Sequence, residues 1–319
     1  MNASYDKKGA IVVLPPVTGG RLTDKKLRAW LAQSELSRND QPQELLARVL
    51  SELGFDYPEE GLGAMRMWGQ TSERPTGWIA AADPVYLEPQ MDYLCLHALR
   101  RTGVPASEMR TVVDHLQTTL GYDKSVGFIR LGSYGYVSSQ KPFATSHVPA
   151  YVVDQQEPGE YLPSGEETAL HRNVLSEIEM ALHEHPINLE RIEAGKQPIN
   201  SLWLWGGGMA PEAKAKPQPP LYSEDALLTG YWYTGKGVAE PWPGSIAECL
   251  EQSVAGFVAE TPEFADDTAL LESLLNELRE ALRDKRLDSL VLLFRDGVRA
   301  EVHRSHGMRV WRRDSSVLA

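Results

Sequence analysis

Residues able to do chemistry crowd into one stretch of the chain, from His185 to Gly208. His185-Pro186-Ile187-Asn188 and Arg191 are followed by Asn200, Trp203 and Trp205, and the run closes on Gly206-Gly207-Gly208. Arg191 offers a forked, permanently charged donor suited to a phosphate or carboxylate. Successive backbone N–H groups at a glycine turn can hold an anion, and strand ends are where α/β proteins place ligands. The candidate binding residues are therefore His185, Asn188, Arg191, Asn200, Trp203, Trp205, Gly206, Gly207 and Gly208. Their partner would be a small anionic ligand or another protein. Two plainer readings stand beside this one: the Asn side chains satisfy local backbone groups, and at least one Trp packs in the core.

Other chemical patterns are weaker. His183-Glu184-His185 looks metal-like, but helical neighbours two apart point about 200° from one another and cannot chelate from one face. Capping and hydrogen bonding are the simpler roles for these residues, and for His303 and His306. Gly230 to Lys236 has the spacing of a phosphate-binding GxxxxGK loop. Gly237 stands where Ser or Thr would hold magnesium, however, and Pro241 and Pro243 oppose the helix that should follow, so an aromatic surface loop is expected. Gly61-Leu62-Gly63 lacks the third glycine and the following helix of a dinucleotide fingerprint. Glu177, Glu179 and Glu184 read as the wet side of a helix. No metal site and no cofactor is expected.

The elements that must position these residues are partly legible. Ile11 to Leu14 reads as a buried strand. Leu27, Trp30 and Leu31, then Leu45 to Leu53 closed by Gly54, have helical spacing. Trp78 to Ala82 is a strand ended by Asp83-Pro84. Met109, Val112, Val113, Leu116 and Leu120 form a helical stripe, capped by Ser107 and closed by Gly121. Val126 to Ser138 suggests a hairpin. Ser164-Gly165-Glu166-Glu167 is a capping box opening a helix with Leu170, Val174, Ile178 and Ala181 or Leu182 buried. That helix ends before Pro186; Asn188 caps a short second one, stopped by Gly195. Ile199 to Trp205 is a central strand that turns at the glycines. Leu271 to Leu282 is amphipathic, and Leu290 to Val302 is a hairpin turning at Asp296-Gly297.

This alternation predicts an α/β fold with a mixed, mostly parallel sheet flanked by helices and a C-terminal β-hairpin. Residues 1–210 would form the core, 211–222 a linker-like loop, and 223–319 a completing element or small second subdomain. The chain has 319 residues, 42% of them hydrophobic and 24% charged, which is an ordinary globular composition. A formal charge of -12 disfavours nucleic acid and anionic membranes, and no apolar run is long enough to span a bilayer. Cys95 and Cys249 alone argue for a reducing cytoplasm. Arg295, Arg299, Arg304, Arg309, Arg312 and Arg313, with His303 and His306, read as a solvated face balancing an acidic body, with a small anion or partner site as the sharper alternative. A homodimer through exposed aromatics is compatible with this composition.

The His-Pro-x-Asn, the Arg three residues on, and Gly195-Lys196-Gln197-Pro198-Ile199-Asn200 running into glycines resemble archaeal-type cofactor-independent phosphoglycerate mutases over residues 180 to 208. A broader resemblance is to bacterial RpfE-type regulatory proteins, which are phosphoglycerate mutase-like. It is carried by Asp83-Pro84, Leu162-Pro163-Ser164-Gly165, Glu177-Ile178-Glu179-Met180, Asn200 to Gly208 and Val310-Trp311-Arg312-Arg313. The resemblance implies a degenerate alkaline-phosphatase-like fold. The mutases it points to need an N-terminal Asp-Gly, a Ser nucleophile between two divalent metals, and Asp/His pairs. Here the first strand runs into Leu14-Pro15-Pro16-Val17, and Asp114-His115 lies inside a helix. Without metals that mechanism loses its main source of catalysis. The expectation is a non-catalytic regulatory or binding protein, with a metal-dependent phosphomutase or phosphatase as the alternative.

Overall fold

The computed structural model describes residues 8–99, 103–121, 125–164, 168–262, 267–309, 311 and 315–318. Elements are numbered along the chain. First come β1 (Gly9–Leu14), α1 (Lys25–Ala32), β2 (Glu35–Arg38) and α2 (Leu45–Leu53). The middle of the chain forms α3 (Leu62–Thr71), β3 (Trp78–Pro89), β4 (Leu94–Ala98), α4 (Ala106–Leu120), β5 (Val126–Leu131) and β6 (Tyr134–Ser139). It continues with α5 (Ala169–Leu182), α6 (Pro186–Glu193) and β7 (Ser201–Gly208). The last third holds β8 (Leu221–Tyr222), α7 (Ala226–Thr234), β9 (Ala239–Glu240), α8 (Ile246–Gln252), β10 (Gly256–Glu260), α9 (Thr268–Arg283), β11 (Ser289–Phe294) and β12 (Val298–His303).

Two compact units result. One combines residues 1–57 with 213–319, and the other is the intervening 58–212. This differs from the expected 1–210 core, because β1 pairs with β10 and β11 rather than with any strand of the middle segment. The chain crosses between the units twice, at 57/58 and at 212/213, and only the second crossing lies in the Pro-rich stretch read as a linker.

The first unit has a seven-stranded sheet in the order β2-β12-β11-β1-β10-β8-β9. From β11 to β9 the pairs are parallel, while β12 and β2 add antiparallel strands at one edge. It is the mixed, mostly parallel sheet anticipated, and the terminal hairpin is β11–β12. Both faces of its centre are covered: Val12, Phe257 and Leu292 pack with Leu271, Leu274 and Leu278 of α9, and Ile11, Val13 and Val258 are buried on the opposite face. That two-sided burial explains the unbroken apolar runs of β1 and β10. Tyr231 and Trp232, expected in a surface loop, are buried in α7.

The second unit is built on an antiparallel sheet, β4-β3-β6-β5 with β7 on the free side of β3. β3 does not stop at Asp83-Pro84. β6 pairs with Trp78–Ala82 and β4 with Val85–Pro89, so Asp83 and Pro84 lie between the two partners. The Pro84 carbonyl accepts from Leu99 N–H on that side; the absent proline N–H therefore faces a gap in the ladder, where no bond is lost. Leu202 and Leu204 of β7 share a core with Val112, Val113 and Leu116 of α4 and Val174, Ile178 and Leu182 of α5. Residues 165–167 of the expected capping box lie outside the described residues. Ser107 does not cap α4, whose first turn follows Pro105 without a side-chain cap.

Candidate functional site

Most polar groups of the His185–Gly208 segment are satisfied within the second unit. Pro186 stops α5 and takes the first position of α6, and His185, not Asn188, is the cap: its Nδ1 accepts from Ile187 N–H at 3.3 Å. Asn188 is buried inside α6. Its amide donates to the carbonyls of Leu182 (3.2 Å) and Ile199 (2.9 Å), and its oxygen accepts from Ile199 N–H at 2.8 Å. Asn200 does the same for β3, accepting from Leu87 N–H (2.7 Å) and donating to Leu87 C=O (2.8 Å). Arg191 is buried, donating to the Gln197 and Gly103 carbonyls and pairing with Glu108. Trp203 donates to Val148 C=O at 2.8 Å. His185 also meets His115 edge to face, centroids 4.5 Å apart; burial, then the neighbouring His115, lowers its pKa.

The glycines do not form a turn; they are the last residues of β7. Gly206 has φ +62 and Gly208 φ +156, and this lets the strand press against α3. A Cβ on Gly206 would sit 2.7 Å from Leu62 Cβ, and one on Gly208 would sit 2.4 Å from Gly61 N. Two of the three N–H groups expected to greet an anion have named partners: Gly206 donates to Ser146 C=O (2.8 Å) and Gly207 to Thr145 Oγ1 (2.9 Å). The ligand rule for parallel sheets does not reach β7, because its pairing with β3 is antiparallel.

Trp205 belongs to a network that sequence reasoning missed. Arg66 of α3 is buried with Nη1 2.6 Å from Asp83 Oδ1 and Nη2 3.0 Å from Gly135 C=O. Its guanidinium lies over the rings of Tyr134, Tyr136 and Trp205 at 5.0, 4.8 and 5.1 Å. Trp205 Nε1 donates to the other Asp83 oxygen at 2.6 Å. Burial alone would lower the Arg66 pKa; the Asp83 carboxylate together with Tyr136 and Tyr134 outweighs it, and the group stays charged. Burial also pushes the Tyr136 phenol up to about 12. The signal in the sequence was a lone Arg in the apolar run Ala64-Met65-Arg66-Met67-Trp68, which is a helix after all despite the reading of Gly61-Leu62-Gly63.

A second missed cluster lies at the carboxyl ends of the parallel strands in the first unit. Glu260 ends β10, and burial raises its pKa against the pull of Arg295. One oxygen pairs with Arg295, and the other accepts from Ser223 Oγ (3.0 Å) and Glu224 N–H (3.3 Å). Arg295 also donates to Thr261 C=O at 2.9 Å. Asp296 Oδ2 accepts from Val17 N–H (2.8 Å), Thr18 N–H (2.7 Å) and Thr18 Oγ1 (2.8 Å), clamping the loop that leaves β1. The divalent metals implied by the mutase resemblance do not fit this donor set, since an arginine contacts the buried carboxylate. Among the described residues no group of three or more His, Cys, Asp or Glu can hold a metal ion. The other described C-terminal arginines are paired too: Arg299 with Glu52 and Glu301, Arg304 with Asp288, Arg309 with Glu35. Arg312 and Arg313 lie outside the described residues.

Among the described residues no helix is long and apolar enough to cross a membrane, and Cys95 and Cys249 are free thiols. No protein-family model matches the chain. It is similar to the 2,3-bisphosphoglycerate-independent phosphoglycerate mutase of Methanosarcina barkeri (strain Fusaro / DSM 804), 32% identical over 128 residues, which are 39% of this chain and 31% of that protein. A probable enzyme of the same description from Geobacter sulfurreducens (strain ATCC 51573 / DSM 12127 / PCA) is 29% identical over 132 residues, 40% of this chain and 32% of that one. Among solved structures, the PH0037 protein from Pyrococcus horikoshii shares the fold, with a TM-score of 0.54 at 15% identity over 93% of this chain and 88% of that one. The matched segments span about a third of the length of these curated relatives. The chain is thus similar in part to cofactor-independent phosphoglycerate mutases, while the likeness to RpfE-type regulatory proteins rests on the quoted motifs alone.

Proposed function

We propose that the chain is a phosphoglycerate mutase-like protein that acts by binding, without turning over a phosphoester. The observation that carries this reading is the Glu260–Arg295 pair at the carboxyl edge of the parallel sheet. A guanidinium there supplies charge but has no open coordination position, so it cannot generate a metal-bound nucleophile. The partner in this reading is a small anion or a protein, in a cytoplasmic setting. The internal hydrogen bonds of Asn188, Arg191 and Asn200 favour a partner read by a surface over an anion held by those side chains.

A metal-dependent phosphomutase or phosphatase is the second reading, favoured by the descriptions of the relatives. The two separate cleanly. Purified protein is assayed for interconversion of 2- and 3-phosphoglycerate and for phosphomonoester hydrolysis, with and without manganese, and its metal content is measured. Binding without turnover and substoichiometric metal support the first reading. Turnover with stoichiometric metal overturns it.

A further inference from the structure

The carboxyl edge of the parallel sheet carries more acid than base. Glu260 is 6% exposed at its side chain, and Asp225, the cap of α7, adds repulsive charge next to it. Ser223 Oγ and the Thr261 carbonyl supply two more oxygens at the same point, the first on Glu260 and the second on Arg295. Oxygen donors of this kind, gathered around a buried carboxylate, are what a hard divalent cation takes as ligands. The group found in contact with them is Arg295, whose Nη2 meets both Glu260 and Thr261. Its Nε is buried without a hydrogen-bond partner, so the side chain is held here by the charge contact and not by full satisfaction of its donors.

We infer that Arg295 is a built-in cation, whose guanidinium neutralises Glu260 in place of a divalent metal and makes this edge independent of metal. The inference deepens the functional reading above and rests on it for its meaning, since a fixed guanidinium retains the charge of a metal centre but none of its exchangeable positions. The pairing is reciprocal: removing the cation leaves an acidic oxygen cluster, and removing the acid leaves a free guanidinium.

Thermal unfolding of the full chain tests both directions. The native midpoint is expected to be unmoved by EDTA or by millimolar manganese. Arg295→Met should lower the midpoint by several degrees and make it rise with manganese, and Glu260→Gln with Arg295→Met should remove the manganese response. Glu260→Gln alone, which keeps the arginine and frees it, should give a midpoint that rises with inorganic phosphate where the native one does not. A manganese or EDTA response of the native protein overturns the inference, as does an Arg295→Met protein no more responsive than the native one. Should Arg295→Met fail to fold, Glu260→Gln decides: a phosphate response supports the inference and its lack overturns it. Turnover of phosphoglycerate with no metal response would sink the functional reading and leave this one standing; a native metal response without turnover would do the reverse.

Discussion

Arg66→Met should destabilise the middle unit by about 4 kcal/mol, and the structure sets that figure. Arg66 is 7% and Asp83 19% exposed at the side chain, so breaking the pair strands a largely buried carboxylate, at a cost of about 3–5 kcal/mol. Asp83 keeps its bond from Trp205 Nε1, which puts the electrostatic part near the lower end. Loss of the bond to Gly135 C=O adds about 1 kcal/mol. Three ring contacts near 5 Å vanish as well, each worth about 0.5–1 kcal/mol, of which the Met side chain recovers a part by packing. Asp83→Asn tests the cause. Beside a native Arg66 it should cost about 2–3 kcal/mol by leaving the guanidinium uncompensated. In the Arg66→Met background it should be neutral or stabilising, because it removes an unpaired charge. Urea unfolding followed by far-ultraviolet circular dichroism and tryptophan fluorescence yields all three free energies. A cost below about 1 kcal/mol for Arg66→Met, or the same cost for Asp83→Asn in both backgrounds, would refute the reasoning.

Other outcomes follow from the same contacts. Gly207→Ala brings a Cβ to 2.5 Å from the Trp78 ring and 2.9 Å from Thr145 Oγ1; loss of about 1–3 kcal/mol in urea unfolding is expected, and an unchanged midpoint would show that β7 has room to move. Asn188→Ala leaves the Ile199 carbonyl and N–H without this partner and the Leu182 carbonyl with only its bond from His185 N–H, and should cost about 2 kcal/mol, visible as a lower thermal midpoint; a variant of native stability would reopen a ligand role for this residue. His171 is 3% exposed, and burial lowers its pKa against the opposing pull of the Ala144 backbone. The unfolded chain therefore takes up the proton first. Stability is full above the unfolded value of about 6.5 and is lost as pH falls below it. His171→Leu should flatten the decline in urea midpoint between about pH 7 and 5; an unaltered slope would assign the decline to other groups.

What was legible in the sequence was mostly local. Helix stripes such as Leu271 to Leu282, the αL residue at Gly54 and the hairpin around Asp296-Gly297 are set by periodicity and turn chemistry within a few residues. The misses have non-local causes. Asp83-Pro84 reads as a strand end because a proline lacks its N–H, and only the gap between β6 and β4 removes that penalty. α3 was overlooked because Gly61 and Gly63 look like loop, yet a Cβ at Gly63 would sit 2.4 Å from Ala81 N. Its small residues serve close contact with β3, which only the fold reveals. β8, with two residues, carries too little pattern to be recognised at all.

The candidate site shows the same limit more sharply. Density of polar groups between His185 and Gly208 suggested recognition, but polar density also arises where a chain turns twice in quick succession and must satisfy the backbone it interrupts. Asn188 and Asn200 bridge the connections around α6 and β7, and Arg191 holds the loop at Gly103 and the cluster at Glu108. Chemistry in a parallel sheet gathers instead from residues far apart in the chain, one per strand end. Ser223 follows β8, Glu260 ends β10, and Arg295 and Asp296 follow β11, with Asp296 clamping the loop that leaves β1 at Val17 and Thr18. No spacing rule along the sequence links them. Each does follow an apolar strand that ends in a charged or hydroxyl residue, as Val258-Ala259-Glu260 and Leu293-Phe294-Arg295 do. Reading those strand exits together, rather than the densest motif, is what would have led from this sequence to the sheet edge.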